Sequence, residues 1–372
     1  MSSNTSRRNF IAAGFGIPAA AALAAAAAPS YRTLGKTGLK VTPVGFGCMI
    51  TSDPSVIERA FDAGINYFDT ARVYQGGNNE RMVGAALKGK RDKLIISTKS
   101  TSRKAKDALA DLDTSLRELG TDYVDIWYMH AVDDPKEITD ELIGAWEAAK
   151  KAGKIRHIGI STHQPNALVD RVLAAGKFEV LLSTYNFTIG TASDAAFERL
   201  AKAGIGLVAM KVMAPASREY GFKADSAGRM NRPGAPLAAL KWVLRNRNFA
   251  TAIPSMVDMD QLEVNLRALN ESFSEEDARI LARLDEQIRP LYCRMCYQCA
   301  GQCPKGIPVA EVLRYLSYAD FYGQYPLGRE HFLALPEKVR EVRCTDCATC
   351  AVNCPNGVQV AARLAKAQSI FA

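Results

Sequence analysis

The feature that most constrains the fold is a rhythm. Eight short apolar runs, "VGFGCM", "INYFDT", "LIISTK", "YVDIWYMH", "IRHIGIS", "EVLLSTYN", "GLVAMKV" and "FATAIP", recur between Tyr31 and about residue 288. Each precedes a longer stretch of helical periodicity, such as "ALADLDTSLRELG" with its terminal glycine or "KEITDELIGAWEAAKKAGK". Short buried strands that alternate with helices call for a parallel sheet, and eight such units in roughly 260 residues have the size of a closed (β/α)8 barrel, an α/β architecture. A doubly wound open sheet is the alternative. It usually has fewer strands and a glycine-rich first loop, which is missing here.

A barrel of this kind presents its working groups at the carboxyl ends of its strands. Asp69 ends the second run, with Tyr74 in the loop behind it; Lys99 ends the third and His130 the fourth. These residue types suit carbonyl chemistry. Hydride delivery to a carbonyl leaves charge on its oxygen, which a positioned acid must neutralise. A free tyrosine, with a pKa near 10, is too weak an acid at neutral pH. A lysine ammonium beside it is expected to lower that value, with a carboxylate holding the lysine and a histidine bonding the substrate oxygen. Singly, each has a plainer role: a helix cap for Asp69, a loop aromatic for Tyr74, a solvated amine for Lys99, a satisfied rim histidine for His130.

Taken together, "GINYFDTARVY", "ISTK" and "WYMH" resemble the catalytic tetrad of the aldo-keto reductases. "YRTLGKTGLKVTPVGFG", "GGNNERMVGAAL", "IRHIGIST", Tyr185-Asn186 and "IPSMVDMDQLEVNL" extend the resemblance over residues 31 to about 288. The resemblance implies a small-molecule carbonyl or alcohol substrate and a nicotinamide dinucleotide, NAD(P), across the mouth. Gly47, Ser161 and Thr162 fall where the family contacts the nicotinamide end, and Asn265 matches an adenine-end contact. Thr162 replaces the usual asparagine, and Leu182 and Met210 stand where glutamine and tyrosine are common. Ser255 and Gln261 occupy the places of a lysine and an arginine in NADP-preferring members. The basic loop Ala214 to Gly234 offers Arg218, Lys223, Arg229 and Arg232 either as replacements or as a solvated face.

Beyond residue 288 the chain changes character. "CRMCYQCAGQCP" and "CTDCATCAVNCP" repeat one spacing, C-x2-C-x2-C-x3-C-P. This is the bacterial ferredoxin pattern for 4Fe-4S clusters, in which the last cysteine reaches across to the other cluster. The expectation is Cys293, Cys296 and Cys299 with Cys354 on one cluster, and Cys344, Cys347 and Cys350 with Cys303 on the other. Zinc, which usually takes two separated pairs, and disulfides are the alternatives. The helical stretch between the arrays resembles the linker of helical dicluster ferredoxins. Cys48, the ninth cysteine, reads as a small buried apolar residue. No flavin motif is present.

The first thirty residues, "MSSNTSRRNFIAAGFGIPAAAALAAAAAPS", have paired arginines, Arg7 and Arg8, before an alanine-rich apolar stretch, and "SRRNFI" resembles a twin-arginine export signal. An amino-terminal anchor is the alternative, weakened by Pro18 and by alanine's poor insertion. That route carries folded proteins, so clusters inserted in the reducing cytoplasm arrive outside already ligated, and any dinucleotide travels tightly bound. The organisation read from the sequence is therefore 1–30 signal, 31–288 barrel and 289–372 a small, mainly helical 4Fe-4S ferredoxin-type domain. It implies a periplasmic or other extracytoplasmic location, the twin-arginine translocase during export, and a redox partner protein or quinone-linked membrane component. Two further readings stay open, an electron-transfer or interaction subunit with an inactive barrel, and an NAD(P)-dependent carbonyl reductase with structural clusters. The net charge of +8 is spread among nearly as many acidic residues, which does not make a nucleic-acid footprint.

Overall fold

The structure, a computed structural model, describes residues 30–216, 220–222, 229–231 and 233–372. Residues 1–29, where the export signal is expected, lie outside the described residues, as do Arg218, Lys223, Arg232 and the side chain of Arg229.

All eight apolar runs form strands of one parallel sheet: β1 (Phe46–Gly47), β2 (Tyr67–Asp69), β3 (Ile95–Ser100), β4 (Val124–Met129), β5 (Ile155–Thr162), β6 (Val180–Thr184), β7 (Gly206–Met210) and β8 (Phe249–Ala252). Neighbours in sequence are neighbours in the sheet. The barrel closes between β8 and β1, where Ala252 N donates to Pro43 O at 2.9 Å and Gly45 N donates back to Ala252 O at 2.8 Å. Closure removes both sheet edges. An antiparallel hairpin (Arg32–Thr33 with Lys40–Val41) precedes the barrel.

Alternate strand residues point into the lumen. Tyr67, Ile95, Ile126, Tyr128, Val180, Leu182 and Val208 fill it as a dry cluster, crossed by a 2.8 Å bond between the hydroxyls of Tyr67 and Tyr128. Continuing the same alternation one step toward the mouth yields Asp69, Lys99, His130, Ser161, Thr184 and Met210. The lumen is therefore sealed below and polar above.

The strands' outer faces pack against helices α1 (Pro54–Asp62), α2 (Asn78–Ala86), α3 (Ala105–Leu119), α4 (Asp140–Lys151), α5 (Pro165–Ala175), α6 (Asp194–Lys202), α7 (Ala235–Leu244), α8 (Met259–Arg267) and α9 (Glu275–Ile288). Local chemistry sets their ends. Asp53 caps α1 with Pro54 at its first position, and Gly120 ends α3 in the left-handed conformation, φ 65°. Trp146 of α4 stacks on Trp127 of β4 with ring centroids 3.7 Å apart and donates Nε1–H to its carbonyl.

The remainder is helical, α10 (Val309–Asp320), α11 (Tyr325–Leu333), α12 (Glu337–Arg340) and α13 (Val360–Phe371), around a second, smaller core of residues such as Leu313, Leu316, Phe332, Leu364 and Phe371. It is tied to the barrel. Arg294 grips both carboxylate oxygens of Asp285 on α9 at 2.8 Å and the carbonyl of Thr188 at 2.7 Å. Among the described residues no helix is long and apolar enough to cross a membrane.

Candidate active site and cysteine arrays

The four residues at the strand ends converge. Lys99, 1% exposed, has three protons on Nζ and three partners: Asp69 Oδ2 at 2.5 Å, the Thr70 carbonyl at 2.6 Å and the Tyr74 hydroxyl at 3.2 Å. Asp69 is fixed in turn, since its Oδ1 accepts from Ser97 Oγ at 2.6 Å. The Tyr74 ring meets His130 edge-on, with centroids 5.8 Å apart. The His130 Nδ1 is buried and unpartnered.

Electrostatics assign the protonation states. Burial pushes Lys99 down, but Asp69 and then Tyr74 hold it up, and the net direction is upward, so it stays an ammonium. Burial, reinforced by Lys99 and His163, drives His130 well below the ordinary histidine value, so it is neutral. For Tyr74 the sequence expectation needs correction. Lys99 does pull its pKa down, yet burial outweighs that pull and the phenol stands at about 12. Tyr74 therefore rests as the protonated acid.

The Tyr74 loop is held by residues that sequence reasoning missed. Asn79 Nδ2 donates to the Cys48 carbonyl at 2.8 Å and its Oδ1 accepts from Thr70 Oγ1 at 2.6 Å. Glu80, fully buried, pairs with Arg72 and accepts from Thr98 Oγ1 at 2.5 Å. A side chain at Gly77, φ 91°, would collide with the Arg72 guanidinium. The signal was available: an asparagine and a glutamate on the apolar face of a helix need buried partners.

The predicted dinucleotide contacts divide. Ser161 Oγ accepts from the Ala131 amide at 2.8 Å and keeps its own proton to donate. Thr162 Oγ1 is committed within the chain, donating to Asp133 Oδ1 at 3.1 Å and accepting from Gln164 N at 2.9 Å. A Cβ at Gly47 would meet the Ile253 carbonyl at 2.7 Å, so this glycine serves the close approach of β1 to β8. Asn265 is buried on α8, away from the strand-end ring. Thr184, unforeseen, has a buried hydroxyl without a partner on the mouth ring. Ser255 and Gln261 bring no cation to a 2′-phosphate, and Gln261 Oε1 is taken by the Val257 amide at 3.1 Å.

None of the nine cysteines is in a disulfide. Cys48 is fully buried in the main core and its thiol is pushed up by burial, as befits a packing residue. The other eight gather in two groups. Burial lifts Cys293 to about 12, and the nearby Cys299, Cys296 and Cys354 add to the rise; Cys344, at about 11, feels burial and then Cys303, Cys350 and Cys347. Each first triple is thus joined by the last cysteine of the other array. Asn356 Nδ2 donates to Cys296 Sγ at 3.3 Å and the Met295 amide to Cys293 Sγ at 3.4 Å, while Met295 and Tyr297 hold φ values of 53° and 57°. Among the described residues no three His, Cys, Asp or Glu side chains are gathered to hold a metal ion. A cubane keeps its ligands at its corners, farther apart than those of a single ion, and the two fours suit that donor set.

The helix between the arrays was read from sequence only as a linker. It lies on the barrel mouth. Arg314 of α10 sits 3.2 Å from His163 Nδ1 and 3.8 Å from Asp133, and Tyr318 meets Lys211 at the end of β7. Tyr318 is also close enough to Tyr74 for their charges to couple, and Tyr292 likewise connects Tyr318 and Tyr322 to Cys293. Buried tyrosines thus run from the tetrad toward the first array.

Residues 52–231 match the model of the aldo/keto reductase family. The chain is 30% identical to L-galactose dehydrogenase of Arabidopsis thaliana over 304 residues, 70% of this chain and 94% of that one. Aldo-keto reductase AKR11C1 from Bacillus halodurans, in its holo form, superposes with a TM-score of 0.59 at 25% identity over 69% of this chain and 96% of that one. An aldo/keto reductase from Klebsiella pneumoniae, solved with NADP and acetate, shares the fold with a TM-score of 0.57 at 23% identity over 69% and 95% of the two chains. The chain belongs to the aldo/keto reductase family. It is accordingly an oxidoreductase acting on carbonyl or alcohol groups.

Proposed function

We propose that this oxidoreductase is exported and couples carbonyl–alcohol interconversion at the barrel mouth to two 4Fe-4S clusters held by its carboxyl-terminal cysteines. The observation that carries the catalytic part is the Lys99 ammonium bonded at once to Asp69 and to the Tyr74 hydroxyl. Tyr74 gives its proton to the substrate oxygen as charge develops there, and takes it back in the reverse direction. Lys99, fixed by Asp69, stabilises the tyrosinate left behind. Neutral His130 orients the oxygen. A bound nicotinamide dinucleotide would supply or accept the hydride; two clusters would together hold its two electrons, one each, with an intermediary such as a flavin required between dinucleotide and clusters.

Ser161 keeps a hydroxyl proton to donate to the dinucleotide, Thr184 joins it at the amide and Asn265 stands for the adenine end, whereas Gly47 and the Thr162 hydroxyl are occupied within the chain; the NADP-binding relative supports an NAD(P) cofactor, held tightly in this chain. Cys293, Cys296, Cys299 and Cys354 hold one cluster, and Cys344, Cys347, Cys350 and Cys303 the other. The paired arginines and the oxygen-sensitive ligand set together support twin-arginine export to the periplasm, division of the chain at residues 30 and 288, and a redox partner or quinone-linked component outside. A silent barrel serving an electron carrier is the second reading, favoured by Leu182, which seals the lumen where a carboxamide contact is usual.

The test uses protein purified without oxygen, with iron and sulfide assayed and bound small molecules released and identified by mass spectrometry. About eight iron per chain with a retained dinucleotide, and turnover lost in Tyr74→Phe, supports the coupled enzyme. Iron without organic cofactor and without carbonyl or alcohol turnover sinks it in favour of the carrier.

A further inference from the structure

The mouth holds a cation that the tetrad does not use. Lys211 follows β7 with a left-handed backbone, φ 53°, a conformation that costs a non-glycine residue free energy and persists where its surroundings require it. Its Nζ lies 3.2 Å from the Tyr318 hydroxyl and 4.8 Å from the centre of that ring. Its contact with Tyr318 of α10, the helix over the mouth, directs it toward the mouth. The other cations there are compensated, Lys99 by Asp69 and Arg314 by Asp133. Among the described residues no carboxylate lies within ion-pair distance of Lys211.

A half-buried lysine whose side-chain partner is a phenol has no counter-charge among the described residues, and an incoming anion supplies one. The phenol is suited to share the task. Its oxygen accepts from Lys211, which leaves its own proton to donate. Burial pushes Tyr318 up, but Lys211 and Arg314 more than offset this and bring it below the ordinary tyrosine value, which makes it a stronger hydrogen-bond donor. Lys211 directly follows Met210, the last residue of β7 on the mouth ring, and Tyr318 closes over it, so this pair borders the same mouth in which Tyr74 and His130 meet.

We propose that Lys211 and Tyr318 form an anion subsite, completed only when α10 covers the barrel, and that the substrate is a small carbonyl or alcohol compound bearing a carboxylate or a phosphate ester. The proposal rests on the catalytic reading above for the position of the reacting oxygen. It gives the carboxyl-terminal segment a second role, since the helix between the cysteine arrays then selects substrate.

Binding, which does not require turnover, tests this on the full-length protein purified without oxygen. Calorimetric titration compares pyruvate with methyl pyruvate, and glyceraldehyde 3-phosphate with glyceraldehyde, so that each anion is paired with its neutral counterpart. At least one anion is expected to bind tenfold or more tightly than its counterpart, and whichever pair shows the preference identifies carboxylate or phosphate. Lys211→Met should remove most of that preference and Tyr318→Phe a severalfold part, with iron content unchanged. If Lys211→Met fails to fold, Tyr318→Phe alone carries the test. Equal binding within both pairs, no binding of any probe, or a preference untouched by both substitutions overturns the proposal. Tyr74→Phe separates it from the catalytic reading: anion preference retained with turnover unchanged means that the subsite stands and the assignment of Tyr74 falls.

Discussion

The two ends of this molecule solve the same problem, holding reactive side chains in place, by opposite means. At the barrel mouth Asp69 and Lys99 are almost wholly buried, every proton of the ammonium is spoken for, and the strands beneath are locked in a closed ladder. The geometry is complete without any ligand. In the tail the core has eleven buried residues, and Cys293, Cys299, Cys303, Cys344 and Cys354 themselves pack against its rim while Cys296 and Cys350 are exposed. A core that small rarely sustains a fold without staples. The barrel therefore organises its site from the scaffold outward, whereas in the proposed reading the tail's scaffold depends on the clusters that its cysteines hold.

That difference can be broken most forcefully by removing iron. Chelation of the purified protein should expose residues 289–372 to limited proteolysis while the barrel keeps its cooperative melt, because ligand binding energy is folding energy only where the site is part of the core. A barrel that melts together with the tail would erase the contrast. Lys99→Met attacks the other side. It leaves the Asp69 carboxylate buried without its partner, at a cost of about 3–5 kcal/mol, read as a lowered thermal midpoint with iron content unchanged. Tyr74→Phe is milder for the fold and severe for chemistry. Loss of a positioned acid should lower kcat by about 10²–10⁴-fold with the melting temperature nearly constant, and a drop confined to KM would mean that Tyr74 only binds.

The same contrast explains what could be read in advance. Eight apolar runs and the strand-end positions of Asp69, Lys99 and His130 were legible because a parallel barrel follows from local periodicity, and strand parity then directs each side chain. The cysteine spacing was visible because a loop that would wrap a cluster is short, and the two arrays gather as that spacing implies. What escaped depended on contacts between distant segments. Arg314 and Tyr318 read as one face of a linker helix, and nothing local says that this face meets His163 and Lys211, some 150 and 107 positions away. The direction of the Tyr74 shift escaped for a related reason, since it turns on how deeply the packed mouth buries a loop residue.

The seam between the two regions provides the smallest and sharpest test. His163, at the end of β5, is only 9% exposed and lies between Asp133 and Arg314 of α10. Burial first, and then the Arg314 charge, lowers its pKa to about 4, against the upward pull of Asp133. Between that value and the ordinary histidine value of about 6.5, the unfolded chain binds a proton that the folded chain refuses. Stability from this group is therefore whole above about pH 6.5 and declines by about 1.4 kcal/mol per pH unit as the pH falls toward 4. Asp133 adds no opposing slope in that window: its pKa is held well below the usual carboxylate range, so it stays ionised in the folded chain, and any proton it takes up near pH 4 is taken by the unfolded chain. Hydrogen exchange should show α10 opening first as the pH is lowered from 7 to 5.5, ahead of strands β3 to β5. His163→Gln should flatten the dependence by the share this group contributes. If instead barrel strands and α10 lose protection together, the tail is not an attachment to a finished barrel, and the two regions share one cooperative unit.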